Sequence, residues 1–176
     1  MSQSGFNSCA HLVNGDDLKV VNELYDQLLV DGVDPLQKMM DMQLFCQRAL
    51  AAKFPERGVD PTKIETIGDI YEWSRAMDGA IDDERREFYT SLGGMSNGEK
   101  AASSVWKHWK AQRDEMQSKK FTDLTESDQL ECMFELIDQL HFFMCHFFPL
   151  GMTSRDIFVM YYLKNMENLK RYQNNY

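Results

Sequence analysis

Apolar residues recur along this chain at three- and four-residue intervals, and no stretch alternates apolar with polar as a half-buried strand does. The pattern predicts an all-α fold of about six helices. The first runs from about Asp16 to Val30, with Leu18, Val21, Leu24 and Leu28 at helical spacing. Asp34-Pro35 then supplies a cap and a proline suited to the first helical position, opening a helix through Met39, Met42 and Cys46 to about Ala52. Pro55, Gly58 and Pro61 mark Phe54 to Lys63 as a loop. A long helix from about Thr66 to Leu92 presents Ile67, Ile70, Trp73, Met77, Ile81 and Phe88 inward. Ser91 to Gly98 closes it as a connector, with the glycines of a phosphate loop but neither its GKS/T nor a preceding strand. Glu99 to about Met116 reads as a fourth helix and Ser118 to Asp123 as a polar turn.

Thr125-Glu-Ser-Asp128 has the form of a capping box, and the helix behind it lines up Leu130, Met133, Phe134, Ile137 and Leu140. Pro149 and Gly151 end that helix. Thr153 or Ser154 caps the last one, which passes Ile157, Met160, Tyr161 and Lys164 towards Tyr176. No repeat, low-complexity tract or linker divides the chain, so residues 1–176 are expected to form one domain.

Composition narrows the function. A formal net charge of −9 speaks against a general nucleic-acid binder, which needs a basic surface to neutralise phosphates. Cys9, Cys46, Cys132 and Cys145 lack CxxC spacing, the usage of reduced thiols rather than a zinc site. Met1-Ser-Gln-Ser-Gly5 has no signal-peptide character, and the apolar run from His141 to Leu150 is too short to span a bilayer. A soluble, cytoplasmic protein without a membrane partner is the expectation.

The candidate chemistry is carried by acids. Glu84-Arg-Arg-Glu87 and Glu135-Leu-Ile-Asp138 each place two carboxylates about one turn apart on a predicted helix. One such pair is ordinary on a solvated face; two, bordered by apolar positions on separate helices, are less so. Carboxylates brought together without cations repel, at a cost of roughly 4 kcal/mol per pair at about 4 Å and an effective dielectric near 20. Hard oxygen ligands suit magnesium or manganese, and magnesium commonly joins a few carboxylates to substrate phosphates. Phosphate-ester or anhydride chemistry is the first expectation.

Cations for the phosphates have two sources. Lys107 and Lys110 lie one turn apart beside Trp106 and Trp109, a pattern that an amphipathic helix with solvated lysines also explains. Lys164, Asn168 and Arg171 share a face of the last helix, which is either a solvated face or an anion cradle. Gln43 and Gln47, one turn apart, could read a base edge through their amides. Asp138-Gln-Leu-His141 opens a rival reading as a di-iron helical bundle, but that fold wants the carboxylate-x-x-His arrangement twice and one copy is present. A second rival is an inert acidic helical binding protein of a nucleotide-synthesis complex.

The ExxE and ExxD pairs resemble the magnesium-binding signature of the all-α nucleoside triphosphate pyrophosphatases, the superfamily of dimeric dUTPases and MazG-like enzymes. Within it the chain is similar to the dCTP-hydrolysing and dUTP-hydrolysing enzymes of T-even bacteriophages. The carrying stretches are Cys9-Ala-His-Leu12, Asp34-Pro-Leu-Gln37, Tyr89 to Lys100, Glu115 to Lys120, Phe134 to Gln139 and Tyr162-Leu-Lys-Asn165.

The resemblance implies hydrolysis of dCTP, dUTP, dCDP and dUDP to the monophosphate in the infected bacterial cell, by a homodimer or within a phage deoxynucleotide-synthesis complex, keeping cytosine out of phage DNA. It makes Glu84, Glu87, Glu135 and Asp138 magnesium ligands, with Glu84 or Glu87 as the base for the attacking water. It assigns phosphate contacts to Lys107, Lys110, Lys164, Asn168 and Arg171. Gln43 matches the family's Q-x-x-L-N nucleoside motif, although Cys46 and Gln47 stand where that motif has leucine and asparagine. The stretch from Gly93 to Lys120 lengthens the usual spacing between the acid pairs and reads as an insertion.

Overall fold

A computed structural model describes residues 9–13, 15–56 and 58–173. The expectations placed on Met1 to Gly5 and on Tyr176 lie outside them. Among the described residues there are seven α-helices and no strand: α1 (Gly15–Val30), α2 (Pro35–Lys53), α3 (Ile67–Ser91), α4 (Glu99–Ala102), α5 (Arg113–Gln117), α6 (Glu126–Cys145) and α7 (Ser154–Gln173). The all-α class follows from the helical periodicity. None of these helices is long and apolar enough to cross a membrane.

Local chemistry sets the helix starts. Asp34 caps α2 by accepting from the Leu36 amide, ahead of Pro35. Three further starts repeat one device, Thr-x-x-Asp. In α3, α6 and α7 the threonine hydroxyl accepts the aspartate's amide (Thr66–Asp69, Thr125–Asp128, Thr153–Asp156) and donates to the same aspartate's carboxylate. Each device satisfies the aspartate amide that the helix start leaves unpaired, and in α7 the Thr153 amide also donates to Asp156 at 2.9 Å.

The chain packs as two compact units, one holding the described residues up to Leu24 with Arg75–Phe143, the other holding Tyr25–Ser74 and the residues from Met144 onward. In the first unit Ser91, Ala102 and Cys132 are fully shielded, and Gly93 lies so close to the Ala102 carbonyl that an added Cβ would stand 2.0 Å from its oxygen. That contact locks the end of α3 against the following segment. In the second unit Met40, Pro61, Met144, Cys145 and Phe148 are buried, and the Trp73 ring N–H donates to the Cys145 carbonyl at 2.9 Å.

Two expectations are corrected. The helix expected over Glu99 to Met116 is broken into α4, a 3-10 turn at Ser103–Val105, a run of turns and α5. Side chains take the backbone partners that a continuous helix would have used: Ser103 Oγ donates to the Lys100 carbonyl, and Gln117 Nε2 donates to the Val105 carbonyl at 2.6 Å. Periodicity also put Ile67 inside, yet it is 86% exposed, and α1 contains no buried residue.

Candidate active site

Within the first unit, α3 carries Glu84 and Glu87 and α6 carries Glu135 and Asp138. Glu84, Glu135 and Asp138 each bring one carboxylate oxygen to within 4.8 Å of the other two. The most enclosed of them is Glu135, 5% exposed. Its Oε2 is cut off from solvent and accepts no hydrogen bond, an arrangement that normally costs the full desolvation of the group. Asp138 is steadied by His141, whose Nδ1 lies 3.3 Å from Oδ1. Glu87 is outside the close set of three but belongs to the same field: after burial, its charge is the largest influence on Glu135.

The electrostatics record the crowding. Burial first, then repulsion from Glu87, Asp138 and Asp83, pushes Glu84 from the ordinary glutamate value up to about 7. Burial first, then repulsion from Glu87, Glu84, Asp138 and Glu131, pushes Glu135 up to about 8. Glu87 is raised as well, by burial and by Asp83, Asp138 and Glu99, with Arg86 opposing them. A buried, orphaned carboxylate oxygen among acids that resist ionisation is the donor set a hard divalent cation satisfies.

A cavity of about 380 Å³ opens beside Glu87, lined among others by Asp83, Arg86, Glu99, Ser103, Trp106 and Lys107. Lys107 Nζ donates to Ser103 Oγ at 2.6 Å and stands 5.0 Å from the centre of the Trp106 ring. Trp106 is itself pinned, its ring N–H donating at 3.0 Å to Thr90 Oγ1, one turn beyond Glu87. Lys110 borders a different cavity, with Lys100 and Lys119. The expectation that Lys107 and Lys110 share a helical face therefore fails: the backbone between them is a turn, and Trp109, 62% exposed, is no core residue.

The remaining candidates belong to the second unit. Gln43 and Gln47 lie on α2, and Gln43 Nε2 is 3.4 Å from the Cys145 thiol, to which Gln47 also bonds. Lys164, Asn168 and Arg171 lie on α7, where Arg171 Nε donates to Glu167 at 3.1 Å.

No family model matches the chain, and neither does any solved structure. Two whole-length relatives do. The dCTP pyrophosphatase of Enterobacteria phage LZ5 is 53% identical over 171 residues, covering 97% of this chain and 98% of that protein, and the dCTP pyrophosphatase of Enterobacteria phage T4 is 50% identical over the same shares. The chain belongs to the dCTP pyrophosphatase family of T4-like phages. A DNA replication protein of phage T4 is 51% identical over 160 residues, 91% of this chain but 40% of that protein.

In this phage pyrophosphatase fold the acidic site extends beyond the four residues singled out by spacing. Asp128 and Glu131 are each 3% exposed and continue the Glu135 face of α6 towards its start. Asp128 is fully occupied as a clamp, accepting from the Ser96 amide at 2.8 Å, the Ser96 hydroxyl at 2.6 Å and Thr125 at 2.9 Å. Glu131 accepts from the Cys9 amide at 3.2 Å, and burial together with Asp138, Glu131 and Glu135 pushes the Cys9 thiol up. The helical spacing of Asp128, Glu131, Glu135 and Asp138 was a signal for this acidic stripe. Arg86, Ser103 and Trp106 had none of comparable strength, because their meeting depends on how the segment after α4 breaks.

Proposed function

We propose that the protein hydrolyses dCTP to dCMP and pyrophosphate in a magnesium-dependent reaction, with dUTP, dCDP and dUDP as further substrates. The observation that carries this reading is the orphaned Glu135 Oε2 beside Glu84 and Asp138, in a chain related over its whole length to phage dCTP pyrophosphatases. Glu84, Glu135 and Asp138, with Glu87 beside them, would hold magnesium, or manganese, which the same oxygen donors suit. Bound there, the ion supplies neutralisation of phosphate charge and acidification of water.

The chain's own residues do the rest. Glu84 or Glu87, both held above the ordinary glutamate range, would take the proton from the attacking water on a carboxylate oxygen. Lys107 and Arg86 line the chamber next to Glu87 and meet the phosphate oxygens there, positioning and charge balance being most of what phosphoryl transfer requires. The family resemblance also assigns phosphate contacts to Lys164, Asn168 and Arg171 of α7, and to Lys110, which borders a different cavity. Gln43 and Gln47 supply amides for the base edge, Gln47 standing in the position of the related asparagine.

The working form is a homodimer in the host cytoplasm, associated with phage deoxynucleotide synthesis. Support for the dimer comes from α7, which leaves apolar side chains open around its whole girth, Phe158, Tyr161, Leu163 and Tyr172 among them, more than a stable monomer commonly exposes. The decisive assay is pyrophosphate release from dCTP with and without magnesium. Release that needs the metal and falls at least about 100-fold in Glu135→Gln, the scale of losing one electrostatic contributor to a transition state, is the expected result. No release under either condition would leave the inert binding protein as the reading.

A further inference from the structure

We infer that the segment between α3 and α6 forms a second nucleotide site, a slot for a nucleoside monophosphate separated from the reaction chamber by the Trp106 indole. A cavity of about 450 Å³ lies within the first unit, walled by Tyr89, Trp106 and Phe121. These three aromatic side chains stay 43%, 38% and 40% exposed, so ring surface is left open to a ligand. Flat aromatic walls of this kind stack on any base.

The charge of the slot is the second observation. Lys119 and Lys120 line it, and no aspartate or glutamate does, in a chain whose net charge is −9. Such a local reversal of sign favours an anion. Two lysines match the charge of one phosphate group, whereas a triphosphate would bring a metal for which the slot offers no carboxylate. The ligand class is therefore a base carrying a single phosphate.

Position connects the slot to catalysis. Trp106 lines both this cavity and the chamber that holds Glu87 and Lys107, and its ring N–H is tied to Thr90 on α3. A base stacked in the slot bears on that shared wall. The slot rests on its own geometry; that its occupant is the reaction's product, dCMP, rests on the proposed activity. Its effect is product restraint that substrate does not fully relieve.

The test is equilibrium dialysis of dCMP against the whole chain in EDTA, paired with dCTP turnover in magnesium at low conversion. Saturable dCMP binding is expected, weakened at least about tenfold in the Lys119→Ala, Lys120→Ala double variant and in Phe121→Ala, in line with the loss of charge-assisted bonds or of a stacked ring. Initial turnover should stay unchanged in these variants, while the non-competitive part of dCMP inhibition disappears. Unaltered dCMP binding in both variants would overturn the proposal. So would inorganic phosphate competing as well as dCMP, or a KM for dCTP rising in step with the lost dCMP affinity, which would make the slot the substrate's own base pocket. Binding that persists in a chain without turnover would sink the proposed activity and leave the slot standing.

Discussion

Glu135 is a conflict built into the fold at the scale of one residue: a carboxylate enclosed by protein, repelled by Glu87, Glu84, Asp138 and Glu131, with an oxygen that nothing satisfies. Because the folded values of Glu84 and Glu135 lie at about 7 and about 8, above the ordinary 4.5, the fold favours their protonated forms. The stability this adds is complete below the unfolded value and is lost as pH rises through the folded ones. The melting temperature of the EDTA-treated protein should therefore fall as pH rises from about 4.5 to about 8, and excess magnesium should flatten the fall. A melting temperature that rises with pH in EDTA would contradict the assignment. Glu135→Gln should raise the alkaline melting temperature of the metal-free protein while removing turnover, a combination that simple misfolding cannot give.

The segment from Glu99 to Gln117 decides, at the scale of elements, which lysine faces the acids. Lys107 lines the chamber beside Glu87, and Lys110 does not. Steady-state kinetics should find Lys107→Ala raising the KM for dCTP on the order of tenfold or more, the worth of one charge-assisted hydrogen bond, with Lys110→Ala much weaker. Equal effects would mean that the turn places both lysines alike. Gly93→Ala tests what holds the segment: a methyl group driven against the Ala102 carbonyl should cost about 1–3 kcal/mol in denaturant melts.

This region also marks where the sequence stops being legible. Capped, strongly periodic helices such as α2, α3 and α6 can be read from local pattern, and so can the two acid pairs, because helix spacing alone fixes which side chains share a face. The break after Ala102 cannot, since it depends on Gln117 and Thr90 reaching Val105 and Trp106 from elsewhere in the chain. Ser103 and Trp106 reach the cavity beside Arg86 and Glu87 only through that break. The apolar stripes of α1 and α7 are legible as stripes, but periodicity does not say what covers them.

For the whole molecule, the exposed apolar girth of α7 argues for self-association. Sedimentation equilibrium should return twice the chain mass of 20.6 kDa, and Leu163→Glu, which sets a charge on that surface, should shift the population towards single chains. A monomer at every concentration would remove the dimer from the proposal. The membership of the chain in a phage dCTP pyrophosphatase family does not depend on the outcome.

Trp106 stands between two cavities, its N–H fixed to Thr90 and Lys107 close to its ring. An indole so placed is a built-in optical gauge. Triphosphate arriving on one side and monophosphate on the other would each change the polarity around the same ring, so its ultraviolet emission can report both events without any attached dye. Trp73, bonded to the Cys145 carbonyl in the other unit, and Trp109, its ring centre 6.3 Å from that of Trp106, emit as well, so replacing both by phenylalanine isolates that signal.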